Sequence, residues 1–229
     1  MKERGMIFNG EMVRAILDGR KTQTRRIISE RHLNLIDLGS QIGECYPLEC
    51  GIDHENSQSY YREHCQFGKP GDRIWVRETY QGPLFDYEHM EAYLEDNSKF
   101  EKPDFCVYRA DGKPAPEFYD ADDNLHCCWR PSIHMPRWAS RITLEITGVR
   151  VERLNGISET DAKAEGIDME ALFDSQDCYD CIADHNMTGR PTATGSFKYL
   201  WESIYGAESW QANPWVWVIE FKRVEGGAA

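Results

Sequence analysis

The stretch from Ser140 to Leu154 limits the fold of this chain more than any other. Ile142, Leu144 and Ile146 alternate with Arg141, Thr143 and Glu145. Beyond Gly148 the apolar residues return at Val149 and Val151, one position out of step. Alternation of period two predicts a strand with one face in a core, and a phase slip at a glycine predicts a bulge. Such a strand needs partners. Arg73–Tyr80 supplies one, with Ile74 and Val76 on one face and Trp75 and Arg77 on the other, after the turn signal Lys69-Pro70-Gly71-Asp72. Lys21–Ile28 and Trp215–Val224 supply two more, the last begun by Pro214.

Helical signals are few and short. Asn9 is placed as N-cap for a helix over Gly10–Asp18, with Met12, Ala15 and Ile16 as its apolar stripe and Gly19 at its end. Ser158 caps a second helix that contains Asp161, Ala162, Ala164 and Glu165 and stops at Gly166. Ser196–Tyr205 reads as a third, carrying Phe197, Leu200, Trp201 and Ile204. Between these elements, residues 29–66, 81–128 and 167–195 show little periodicity and read as three long insertions. Parallel βαβ alternation is absent. The pattern predicts one α+β domain over 1–229: a small, mostly antiparallel barrel or curled sheet flanked by short helices.

Composition narrows the ligand. The net charge is −13, of which −8 falls between residues 81 and 126. Global acidity opposes non-specific binding to a long duplex, because phosphate neutralisation dominates that affinity. A small ligand or a short flexible strand is favoured. No apolar run approaches the length of a membrane span, and the first residues lead into no signal-peptide core. The expectation is a cytoplasmic protein with no membrane partner. Eight cysteines then read as thiols or metal ligands rather than disulfides. Cys178 and Cys181 form a CxxC with His185 four residues on, a candidate for structural zinc that lacks an evident fourth ligand. Cys127-Cys128, Cys45, Cys50 and Cys65 are irregularly spaced.

Against this acidity, Gly19-Arg20-Lys21-Thr22-Gln23-Thr24-Arg25-Arg26 packs four cations and two hydroxyls into eight residues. It sets a lysine near two candidate nucleophiles, beside arginines suited to a phosphate or a base edge. Further along come Pro70-Gly71-Asp72-Arg73-Ile74-Trp75-Val76-Arg77-Glu78, Trp138-Ala139-Ser140-Arg141-Ile142, Ala162-Lys163-Ala164-Glu165-Gly166, Leu200-Trp201-Glu202-Ser203-Ile204 and Asn213-Pro214-Trp215-Val216-Trp217-Val218. In this order the motifs resemble the ASCH family, which has the PUA-like β-barrel fold, and within it the tryptophan-rich branch of bacteriophage and prophage genomes. The insertions have no counterpart in its small members.

The resemblance implies a nucleoside, a modified nucleobase, RNA or a single-stranded nucleic acid as partner. Small members of the family include amidohydrolases that remove acyl groups from N4 of cytidine, using the Lys and Thr of a Lys-x-x-Thr motif and a Glu from a later helix. On this chain those positions are Lys21, Thr24 and Glu165, with no cofactor required. Other members bind RNA or modified bases, and some are ribonucleases. In such a reaction Thr24 is the nucleophile, Lys21 its base, and Glu165 orients the lysine or protonates the leaving amine. Arg20, Arg25, Arg26, Glu78, Arg137, Trp138 and Arg141 are candidate substrate-binding residues, as base-stacking, base-edge or phosphate contacts. A reader of single strands would use the same arginines without catalysis. A metal-assisted nuclease is a third reading, with Asp120, Asp122 and Asp123 as potential ligands.

The spacing sets one condition. In a regular strand Lys21 and Thr24 point to opposite faces, whereas Lys21, Gln23 and Arg25 share one. The proposed pair converges only if residues 20–23 turn or bulge.

Overall fold

The computed structural model describes residues 1–50, 55–119, 124–174 and 192–224. The strands are β1 (Glu3–Ile7), β2 (Gln23–Ile27), β3 (Arg73–Arg77), β4 (Tyr80–Gln81), β5 (Val107–Tyr108), β6 (Glu117–Tyr119), β7 (Leu125–Cys127), β8 (Thr143–Arg153) and β9 (Trp215–Arg223). The α-helices are α1 (Gly10–Leu17), α2 (Glu30–Gln41), α3 (Glu55–Glu63), α4 (Met90–Glu95), α5 (Glu159–Ala164), α6 (Met169–Asp174) and α7 (Ala193–Tyr205). A five-stranded mixed sheet has the order β1-β3-β8-β9-β2; β4-β5 and β6-β7 form two separate two-stranded ladders. These sheets are not closed into a barrel. No helix among the described residues is long and apolar enough to cross a membrane.

Two compact units divide the chain. The first comprises Met1–Leu17, Arg73–Glu145 and Arg223–Ala229. In it β1 runs parallel to β3, and β3 pairs antiparallel with the start of β8 through Arg73↔Glu145, Ile74↔Leu144 and Trp75↔Thr143. Ile74, Val76, Ile142 and Leu144 are buried, as the alternation predicts. A separate cluster of Tyr80, Tyr108, Met135 and Ala139 packs within the same unit. Strand β1 carries no alternation to announce it: only Met6 of its five residues is buried. Its parallel pairing with β3 makes the five-stranded sheet mixed, while β2–β9, β3–β8, β4–β5 and β6–β7 pair antiparallel. Asn9 caps α1, accepting from the Met12 amide at 2.8 Å.

The second unit comprises Asp18–Asp72 and Ile146–Lys222. Here β2 pairs antiparallel with β9, from Gln23↔Glu220 to Ile27↔Val216. Burial along β8 follows the slip read at Gly148: Ile146 is buried, then Val149 and Val151. Its core joins Leu154, Ala162, Phe197, Trp201, Val216 and Val218. Full burial of such side chains contributes roughly 1.5–3 kcal/mol each for the aliphatic and phenyl groups. Trp217 is wholly buried too, whereas Trp215 donates from Nε1 to Glu49 at 3.0 Å.

Among its described residues the insertion at 29–66 carries two α-helices, α2 and α3. Helix α2 buries Ile36 and Gly39 while Leu35 and Leu38 stay exposed, as does Ile42 just past its end. Apolar residues on both faces blur the helical period, which is why the sequence reads as loop. Gly39 is required here because a Cβ would collide with the Tyr60 ring of α3.

Candidate functional site

Ser158 builds the site from the second unit's backbone. Its hydroxyl accepts from the Asp161 amide at 3.1 Å, starting α5, and the helix runs for only six residues. Glu165 is the residue at which it stops. Gly166 follows at positive φ, 97°, a conformation glycine adopts without a Cβ penalty. There the chain runs back beside the lead-in to β2. Lys21 and Glu165 form an isolated antiparallel bridge, and the Thr22 amide donates to Ala164 O at 2.8 Å.

The side chains of this edge meet. Lys21 Nζ donates to Glu165 Oε2 at 2.7 Å and to the Glu165 carbonyl at 2.8 Å. The two side chains are 0% and 2% exposed. Arg25, also 0% exposed, donates from Nη1 to Glu165 Oε1 at 3.0 Å and turns its other nitrogens to Glu152. Its Nη2 lies 3.7 Å from Asp161. Gln23 Nε2 donates to the Asp161 carbonyl at 2.9 Å. Arg150 closes the network through Glu152 at 3.2 Å, Asp161 at 2.9 Å and Glu220. Lys21, Gln23 and Arg25 therefore converge, as strand alternation requires.

Thr24 does not join them. It is buried in register with Ile219, and alternation directs it to the opposite face of β2. Residues 20–23 do not make the turn that would bring its hydroxyl to Lys21. Arg26, half-buried and opposite Trp217, lies on the Thr24 side. Arg20 faces outward. It donates to Gly166 O at 2.9 Å, pairs with Asp18 at 3.0 Å, and lines an open groove of about 640 Å³ with Asp18, Lys163, Ala164, Ile167, Asp168, Met169 and Glu170. Two groove residues, Arg20 and Ala164, are chain neighbours of Lys21 and Glu165.

Electrostatics follow from burial. Loss of water pulls the Lys21 ammonium below the ordinary lysine pKa, although Glu165 opposes the shift. For Asp161, burial works against ionisation, but the Ser158 hydrogen bond and the charges of Arg150 and Arg25 prevail, holding it below the usual carboxyl range.

Glu78, Arg137, Trp138 and Arg141 belong to the first unit. Glu78 is buried and held bidentately by Arg141 at 3.0 and 3.1 Å. Arg141 also forks onto Asp111 at 2.7 and 3.0 Å and lies 3.9 Å from the Tyr108 ring centroid. Burial raises the Glu78 carboxyl above its ordinary value despite Arg141. Arg137 forks onto Glu3 at 2.9 and 3.0 Å, and half-buried Trp138 packs against the Tyr80 cluster. Sequence reasoning missed Glu152, Arg150 and Asp111 as partners. The first two were visible as charged residues alternating with Val149 and Val151 on one strand.

Cys178, Cys181 and His185 lie outside the described residues, as do Asp120, Asp122 and Asp123. Among the described residues no group of three or more His, Cys, Asp or Glu is arranged to hold a metal ion. Compared with known proteins, the chain matched no family model, and neither the curated proteins nor the solved structures gave a significant match.

Proposed function

We propose that this chain is an ASCH-like protein of PUA-like descent that binds a nucleobase or nucleoside in the groove beside Arg20, and that Lys21 and Glu165 serve hydrolysis of an N4-acylated cytosine. One observation carries the reading: residues 144 positions apart meet as a lysine–glutamate pair at 2.7 Å with almost no exposure. A buried ion pair adds little to stability over an apolar pair of the same volume. Pairs whose burial shifts a pKa cluster at functional sites.

In the proposed reaction water is the nucleophile, because Thr24 faces away. Lys21, its pKa lowered by burial, takes a proton from the attacking water, and Glu165 orients it and carries a proton to the departing N4 amine. The C–N bond breaks to give a carboxylic acid and the free cytosine. An uncharged ligand suits the electrostatics. Arg20, Lys21, Arg25, Arg137 and Arg141 each have a carboxylate within 4.0 Å, so a phosphate chain must compete with an acid at every one. This weighs against the reader of single strands.

The test is turnover of N4-acetylcytidine by the full chain. The reading expects hydrolysis that falls at least about a hundredfold in Glu165→Gln, the usual contribution of one acid–base group, while Thr24→Val, with its shape kept, retains most activity. Lack of turnover across a panel of N4-acylcytosines overturns hydrolysis. Loss in Thr24→Val with the fold intact returns the nucleophile's role to Thr24.

A further inference from the structure

Cys127 and Cys128 are adjacent in the chain, and both are exposed. Cys127 is the last residue of β7, in register with Glu117 of β6, and its thiol donates to Ala115 O at 3.5 Å. Cys128 lies just past the strand. Two residues further on, Arg130 is pinned to Tyr80 by backbone bonds of 2.8 and 3.2 Å. The two thiols thus occupy the short link between the β6–β7 ladder and that bridge. The proposed hydrolysis uses neither.

We propose that Cys127 and Cys128 form a reversible oxidation site, in which a hydroperoxide converts the adjacent thiols to a disulfide and ring closure releases the Glu117–Cys127 rung of the ladder. Exposure gives an oxidant access. In an extended backbone, successive side chains point to opposite faces. Cys127 lies in the strand, so drawing its sulfur onto that of Cys128 requires residue 127 to leave the strand geometry, and the rung that must go is the terminal one. Among the described residues the ladder has three rungs, Glu117↔Cys127, Phe118↔His126 and Tyr119↔Leu125. Losing one removes a large fraction of that described pairing. Adjacent Cα atoms are about 3.8 Å apart, below the roughly 4.4–6.8 Å of ordinary disulfides. The eight-membered ring is strained, and strained, exposed disulfides are the labile kind that thiols readily reopen. This suits a reversible modification and not a structural staple.

The chemistry balances. One thiolate attacks a peroxide oxygen; the S–O bond forms, the O–O bond breaks, and hydroxide or alkoxide leaves and takes up a proton. The second thiolate attacks the resulting sulfenic sulfur. The S–S bond forms, the S–O bond breaks, and hydroxide leaves and takes up a proton to become water. Two electrons pass from the two thiols to the peroxide.

The experiment uses the full chain with Cys178→Ser and Cys181→Ser, which removes the CxxC as a competing dithiol. After one equivalent of hydrogen peroxide and alkylation of the remaining thiols, the peptide containing Cys127 and Cys128 is mapped by mass. The expected result is a peptide lighter by two hydrogens, unalkylated, and restored by dithiothreitol. Cys127→Ser should instead leave Cys128 as a sulfenic acid trapped by a dimedone probe. A peptide alkylated at both cysteines, over-oxidised to sulfinic acid, or cross-linked to another cysteine overturns the site. Hydrogen exchange of the oxidised protein tests the structural step. Faster exchange at Glu117–Tyr119 than in a Cys127→Ser/Cys128→Ser control supports release of the rung, and equal exchange refutes it.

Discussion

Replacing Glu165 by glutamine tests the buried pair most directly. The carboxylate accepts from two cations at once, Lys21 on Oε2 at 2.7 Å and Arg25 on Oε1 at 3.0 Å. An amide of the same shape offers one acceptor and one donor pair. Whichever way it turns, either Lys21 or Arg25 faces an N–H. Arg25 keeps Glu152 and Asp161, so the lysine bears the loss, left with the backbone carbonyl of residue 165 at 2.8 Å. Removing one partner of a buried pair costs about 3–5 kcal/mol. At roughly 2–4 °C per kcal/mol for a chain of this size, the apparent Tm should fall by about 6–20 °C. The defect should also depend on pH. Burial already lowers the Lys21 pKa, and losing Glu165 removes the main opposing influence and lowers it further. Between that lowered value and the ordinary lysine value the unfolded chain binds more protons than the folded one, so folding stability rises with pH. The defect of Glu165→Gln should therefore shrink from neutral to alkaline solution as Lys21 becomes neutral. Thermal denaturation of both proteins across that range measures it. A Tm loss under about 2 °C, or a defect that grows with pH, refutes the reasoning.

Other consequences are separable. Arg141→Ala strands buried Glu78 and should destabilise by about 3–5 kcal/mol at neutral pH. Glu78 is raised by burial, so its cost is relieved as it takes up a proton; the loss should lessen on acidification toward the carboxylate range, as denaturant titrations can follow. Gly39→Ala sets a methyl against the Tyr60 ring. It should cost about 1–3 kcal/mol in spite of alanine's better helix propensity; a stabilised variant would contradict the α2–α3 packing. Nucleoside binding, followed by calorimetry, should change little with salt, since Arg20, Lys21, Arg25, Arg137 and Arg141 are already paired. A steep linear fall of log affinity with log salt would instead favour a phosphate-binding strand reader.

Some of this architecture was open to a reader of residues alone. Period two in Arg73–Tyr80 and Ser140–Leu154 announces buried-face strands, because only one face of each enters a core, and the slip at Gly148 reappears in the burial of Val149 and Val151. Asn9 and Ser158 announce helix starts because their side chains satisfy local amides. Alternation also told that Lys21, Gln23 and Arg25 would share a face without Thr24. The failures have physical causes as well. Strand β1 buries one residue and is held by backbone pairing with β3, which leaves no side-chain period to see. Helix α2 carries leucines on its exposed face and glycine on its buried one, so its period is hidden.

The information carried along the chain is thus local: which residues alternate, which cap, and which charged side chains share a face. Pairing over distance belongs to the folded molecule. The chain order cannot say that the turn after α5 returns to the lead-in of β2, and that return is what brings Glu165 to Lys21 and Arg25, and Asp161 to Gln23. Nor can it say that Arg141 is spent on Glu78 and Asp111. Charge and burial are properties of neighbours in space, and a cation's chemistry changes from phosphate contact to internal ion pair according to which carboxylate the fold sets against it.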